Sequence, residues 1–161
     1  MTRESSSIDL GAYSTTVLNP PEKAAEHGDL NDRSLVLKIE GAGCSALLTG
    51  DVEEDAEELL VRDYGPAGSI KPNALRARVM SVPHHGSKSS STPAFLSAVA
   101  PEAALVSAGG AEYASLPSSE VLDRYSALGI EVLATDRDGW TAAALYGDTV
   151  ELFRGPENIG R

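Results

Sequence analysis

From residue 34 onward the hydrophobic period of the sequence switches repeatedly, and that alternation limits the fold more than any single residue does. "SLVLKIE" (34–40) sets Leu35, Leu37 and Ile39 against Val36 and Lys38, the two-residue period of a strand. A "GAG" turn and "CSALLTG" follow, so residues 34–50 read as a β-hairpin. "DVEEDAEELLVRDY" then places Val52, Ala56, Leu59 and Leu60 on one helical face and acids on the other. "ARVMSV" is a short apolar strand ending at Pro83, and "TPAFLSAVA" opens a helix with Thr92 as N-cap and Pro93 in the first turn. A strand "AALVSA", a helix "SSEVLDRYSALG" closed by Gly129, and a strand "IEVLAT" come next. "WTAAALY" and "TVELF" form a last hairpin across Gly147 and Asp148. A hairpin followed by alternating helix and strand is the pattern of an α/β fold with a mixed β-sheet and flanking helices. The polar, Pro-rich segment Asn19 to Asp32 reads as a loop, and there are no internal repeats.

Composition bounds the rest. A chain of 161 residues suits a single domain, 1–161, with a real core. No apolar run is long enough to span a membrane, and "MTRESSSIDLG" lacks the pattern of a signal peptide, so a cytoplasmic location is the expectation. Cys44 is the only cysteine, which rules out an internal disulfide and fits a reducing compartment. The net charge of −11 disfavours unaided DNA binding, because phosphate contacts dominate such affinity. A bound metal ion supplies its own positive charge, so hydrolysis of a phosphate ester stays open.

Two segments carry candidate chemistry, each where a strand gives way. "LLTGD" ends at Asp51, a carboxylate that a strand end holds rigidly. Asp51 with Glu54 three residues on also matches a capping box for the helix that follows. "VPHHGS" holds two of the three histidines, His84 and His85. Neutral imidazole is a common zinc ligand and a natural general base. In extended chain the two rings point to opposite sides, so one serves as a ligand and the other orients it. The plainer alternative is a surface turn with two titrating histidines. Gly86 permits a sharp turn, and Ser87 offers a hydroxyl to backbone or substrate.

Taken in order, these pieces resemble the metallo-β-lactamase-like domain of ComEC-type DNA-internalisation (competence) proteins. The matching residues are Asn31 with Ser34 to Leu37, then Leu47 to Asp51, then Val82 to Ser87, then Thr135 to Gly139 in "TDRDG". The resemblance covers roughly residues 15–145. It implies that Asp51 bridges metal ions, that a histidine of the His84–His85 pair is a ligand, and that Asn31 and Ser34 shape the site. It also implies zinc or manganese as cofactor and metal-assisted phosphodiester (DNA) hydrolysis linked to DNA uptake, with Ser87 and Lys88 contacting the substrate. The family's H-x-H-x-D-H segment is absent here, and the only other histidine, His27, stands in the Pro-rich loop. The turn "EYASLP" (112–117) also lacks the histidine that the family tends to carry there. The chain therefore reads as the second, C-terminal half of an αββα sandwich, with an incomplete ligand set.

An isolated half exposes one sheet face, with Leu35, Leu37, Leu47 and Val106 as the expected strip, and such a patch implies association. The expectation is a second copy in a homodimer, a separate chain supplying the missing half-domain, or a truncated product. The competing function is a degenerate, non-catalytic half-domain acting as a structural or interaction module, and a small-molecule hydrolase is a third reading. Arg76 and Arg78 with Lys88 form a basic rim or ordinary solvated charge. Cys44 and Trp140 read as core, "SSSTP" as a flexible loop with a cap, Asp136 and Asp138 as turn formers, and Asp51 to Glu58 as a solvated helix face.

Overall fold

A computed structural model describes residues 7–9, 11–20, 29–66, 71–109 and 115–155. Its main element is a seven-stranded sheet in the order β1 (Ser7–Asp9), β2 (Tyr13–Asn19), β3 (Val36–Gly41), β4 (Cys44–Leu48), β5 (Val79–Ser81), β6 (Ala103–Val106), β7 (Glu131–Ala134). β1 to β4 are antiparallel and β4 to β7 are parallel, so the sheet is mixed. The parallel half is connected through α1 (Glu54–Tyr64), α2 (Pro93–Val99) and α3 (Ser119–Ala127), as parallel strands require crossovers. After β7 come a single helical turn, α4 (Thr135–Asp138), and a separate hairpin, β8 (Thr141–Tyr146) and β9 (Thr149–Arg154). The expected α/β architecture is observed. β1 and β2 were not anticipated, although "YSTTVLN" is rich in β-branched residues. Most of the predicted Pro-rich loop, with His27, lies outside the described residues.

Register decides which residues form the core. Lys38 stands beside Leu47, Leu47 beside Met80, Met80 beside Ala104, and Ala104 beside Val132. Val36, Leu47, Met80, Ala104 and Val106 pack with Leu60, Phe95, Leu96 and Tyr125 of the helices into one buried cluster. Each large apolar side chain so buried contributes roughly 1.5–3 kcal/mol before entropy is counted. Leu47 and Val106 are thus core residues and not part of an exposed strip, because a period of two puts them on the face opposite Leu37. On the other side Leu35 is 51% and Leu48 43% exposed.

The β8–β9 hairpin reaches the β3–β4 end of the sheet. Leu145 joins Tyr13, Ile39 and Ala46 around a cavity of about 130 Å³. Arg78 grips Glu102 with two nitrogens and donates to the Gly147 carbonyl, while Arg154 pairs with Glu131. Arg78 is therefore a structural tether and not a free rim cation. Cys44 is buried beneath this hairpin, as expected. Trp140 is 59% exposed, against the expectation of a core residue. Its ring lies over the backbone of Gly155, outside the sheet core.

Helix α1 departs from its expected face in one respect. Val52, Ala56 and Leu60 are buried, but Leu59 is 38% exposed and Glu57 is wholly buried in its stead. The acidic run is accordingly not a uniformly solvated face.

A candidate metal centre at the strand ends

β4 and β5 end side by side, and polar bonds replace the ladder there. Thr49 N donates to Ser81 Oγ (2.9 Å), and Thr49 Oγ1 lies 3.0 Å from the Ser81 carbonyl, to which it donates. One residue on, His84 N donates to the Gly50 carbonyl (3.1 Å). These bonds bring the end of "LLTGD" against the start of "PHHG". Gly50 has φ +57° and presses on Ser34, whose β-carbon would lie 2.8 Å from any added Cβ, so both conformation and space require glycine. Ser34 Oγ accepts from Asp51 N at 3.1 Å and thereby holds the backbone that carries the carboxylate.

The structure removes the capping role of Asp51. The N-cap of α1 is Glu53, whose side chain makes no capping bond. The first-turn amides are satisfied instead by Asp32 Oδ1, which accepts from Glu53 N (3.0 Å) and Ala56 N (3.4 Å). Asp32 sits in a short 3₁₀ turn, Asn31–Arg33, distant in sequence from the helix it caps, so no local pattern announces it. Asp51, 47% exposed, presents its Oδ1 3.7 Å from His85 Nε2.

His84 and His85 do not lie in extended chain. Pro83–Gly86 form a tight turn in which His84 (φ +46°) and His85 (φ +53°) both adopt left-handed backbone. Gly86 follows at φ +81°, with Pro117 where a side chain would stand. The premise of alternating directions is thus corrected, yet the rings still separate. His84 turns toward α1, with Nδ1 2.7 Å from Glu53 Oε1. That oxygen approaches off the N–H direction, so this buried nitrogen lacks a well-aligned acceptor despite the short distance. A carboxylate oxygen this close favours a proton on Nδ1. Glu53 Oε1 also accepts from Ser89 Oγ (2.9 Å) and from Asn31 Nδ2 (3.4 Å).

His85 turns toward β6. Its Nδ1 lies 2.7 Å from the Ser107 carbonyl. A carbonyl only accepts, so Nδ1 carries the proton and the neutral ring holds its lone pair at Nε2, on the Asp51 side. A ring oriented through its other nitrogen by a carbonyl is the arrangement that metal-binding histidines use.

The loop after the histidines is internal structure. Ser90 and Ser91 are wholly buried, which corrects the flexible-loop expectation. Ser90 Oγ bridges the carbonyls of Pro83 and Ser87, both at 2.9 Å. Glu57 accepts from Ser91 N (2.6 Å) and Thr92 N (2.7 Å), and Arg124 donates to the Ser90 carbonyl (2.7 Å). Burial pushes the Glu57 carboxyl above its ordinary value, against the pull of those amides. Thr92 caps α2 through Phe95 N, as expected. Ser87 Oγ pairs with Ser89 Oγ, and Lys88, largely exposed, lies 3.8 Å from Glu120.

Asp51 and His85 are two donors, and a metal ion held by protein needs more. Among the described residues, no three side chains of His, Cys, Asp or Glu converge as a metal cluster. The residues present therefore do not by themselves fit a complete metal site. No helix among them is long and apolar enough to cross a membrane.

Comparison with known proteins finds similarity to part of several longer proteins. The chain is 38% identical over 122 residues to competence protein ComA of Neisseria gonorrhoeae, covering 76% of this chain and 16% of that protein. It is 36% identical over 137 residues to ComE operon protein 3 of Bacillus subtilis, covering 85% and 16%. It is 30% identical over 122 residues to recombination protein 2 of Haemophilus influenzae, covering 76% and 14%. The chain thus spans only about a sixth or less of the length of these relatives. No family model matches it.

Proposed function

The chain is similar to one stretch of the ComEC-type competence proteins, and on that premise we propose that it is the second half of a metallo-β-lactamase-like hydrolase domain acting in DNA uptake. Its part is to contribute Asp51 and His85 to a zinc or manganese site for phosphodiester hydrolysis. The remaining ligands come from outside the described residues, from a second copy or from another chain. The observation that carries this reading is the pairing of Asp51 with His85 Nε2 at 3.7 Å, when neither group is occupied in capping a helix. The fixed orientation of His85 by the Ser107 carbonyl supports it. His84, held against Glu53, serves to brace the turn. Lys88, exposed beside the same turn, and Ser87 are the residues this reading assigns to the phosphate. Partial exposure of Leu35 and Leu48, on a sheet face that the β8–β9 hairpin covers only in part, supports association there.

The incomplete donor set favours a second reading, a non-catalytic half-domain that serves as an interaction module. Metal content of the purified chain separates the two. Zinc or manganese retained at neutral pH, and lost from both D51A and the H84A/H85A double variant, supports the hydrolase reading. A metal-free wild type contradicts a site that this chain completes by itself or with a second copy, and favours the interaction module.

A further inference from the structure

"TDRDG" is a matched motif that contributes no group to the Asp51–His85 pair, and its geometry explains its place. β6 ends at Val106, and residues 107–109 run on without a ladder partner. A buried or half-buried peptide in that position needs its amide and carbonyl satisfied by other means. Thr135 satisfies both at once. Its Oγ1 donates to the Ala108 carbonyl at 2.7 Å and accepts from Ala108 N at 2.8 Å. The neighbouring carbonyl, that of Ser107, receives His85 Nδ1 at 2.7 Å.

Thr135 is itself fixed by the turn it opens. Asp138 Oδ2 accepts from Ala134 N (2.8 Å) and from Arg137 Nη2 (3.0 Å) and closes the single turn of α4 onto the end of β7. Ala108 packs against the core cluster, so the peptide Thr135 holds cannot shift without disturbing that packing.

We propose that Thr135 is a positioning residue for His85. By locking Ala108 it aims the Ser107 carbonyl at Nδ1, keeps the proton there, and so keeps the Nε2 lone pair on the Asp51 side. The purpose of this device rests on the ligand role proposed for His85, but the device is measurable without any metal.

The test is the tautomer of His85, read from imidazole nitrogen chemical shifts in the metal-free chain at a pH where the ring is neutral. In the wild type the Nδ1–H form dominates. In T135V, which keeps the shape and removes the hydroxyl, that form is lost as the dominant species while backbone amide shifts of β4 and β5 stay in place. T135S restores the hydroxyl and the wild-type tautomer. Persistence of the Nδ1–H form in T135V overturns the proposal, as does its loss in T135S. Should T135V fail to fold, the wild type still decides: a dominant Nε2–H form there overturns it. Loss of metal binding in D51A is a separate result, so either idea can fail while the other stands.

Discussion

The serine loop at 83–92 and the β8–β9 hairpin invert what their residue types suggest. The loop is built of Pro, His, Gly, Ser, Lys and Thr, yet Ser90 and Ser91 are wholly buried. The hairpin carries Trp140, Tyr146 and Phe153, and each is at least 41% exposed. Small hydroxyls are buried in the first because the loop is held by polar bonds: Glu57 and Arg124 meet the backbone, and Ser90 Oγ closes the turn. The aromatics stay out in the second because the hairpin's other face already meets the sheet through Leu145, and the hairpin is tethered by the Arg154–Glu131 ion pair and by Arg78 donating to the Gly147 carbonyl. Satisfied polarity, more than hydrophobicity, decides where the rigid part of this molecule lies. That rigidity has a purpose at His84 and His85, whose left-handed backbone is strained and persists only where surroundings over-determine it.

Several substitutions sharpen the contrast. E57A leaves two buried amides without an acceptor and is expected to cost about 3–5 kcal/mol in urea unfolding, since each such charged bond is worth roughly 1.5–3. A loss under about 1 kcal/mol would mean the loop is held some other way. S90A removes one bridging oxygen and is expected to cost about 1–2 kcal/mol in the same measurement.

The pH dependence comes next, and two carboxyls pull in opposite directions. The hydrogen bond from Arg137 holds the Asp138 carboxyl below its ordinary value. A depressed folded-state value stabilises at every pH above the unfolded value and is lost as pH falls through the folded one. The stability gap between wild type and D138N should therefore be constant above the ordinary aspartate range, about pH 4, and close below it. Glu57 is raised by burial, so its protonation favours the folded state as pH falls toward its elevated value, and E57Q should lack that gain. Equal pH profiles for wild type and both variants would contradict these assignments. W140A is expected to change stability least, within about 0.5 kcal/mol, because its ring is mostly in solvent. A cost matching that of S90A would erase the contrast between the two regions.

The α/β order, the two hairpins and the capping of α2 by Thr92 were legible because each depends on local period or a local cap. The convergence of Asp51 with the histidine turn was legible only through resemblance, since residues 51 and 85 meet by parallel pairing of β4 with β5. Glu57 and Asp32 were not legible. One looked like any acid of a solvated helix, and the other caps a helix that begins 22 residues later. The expected strip of Leu47 and Val106 failed for a related reason. Alternation shows that a strand has two faces, but helices packed in three dimensions decide which is covered.

The central claim is that Asp51 and His85 present donors to one metal ion. Zinc titration of the chain, followed by the His85 ring and Asp51 carboxyl resonances, tests it most directly and detects even weak binding. The expected result is that both resonances shift together, and that D51A abolishes the response at His85. A His85 ring that ignores zinc, or responds equally in D51A, would contradict the claim.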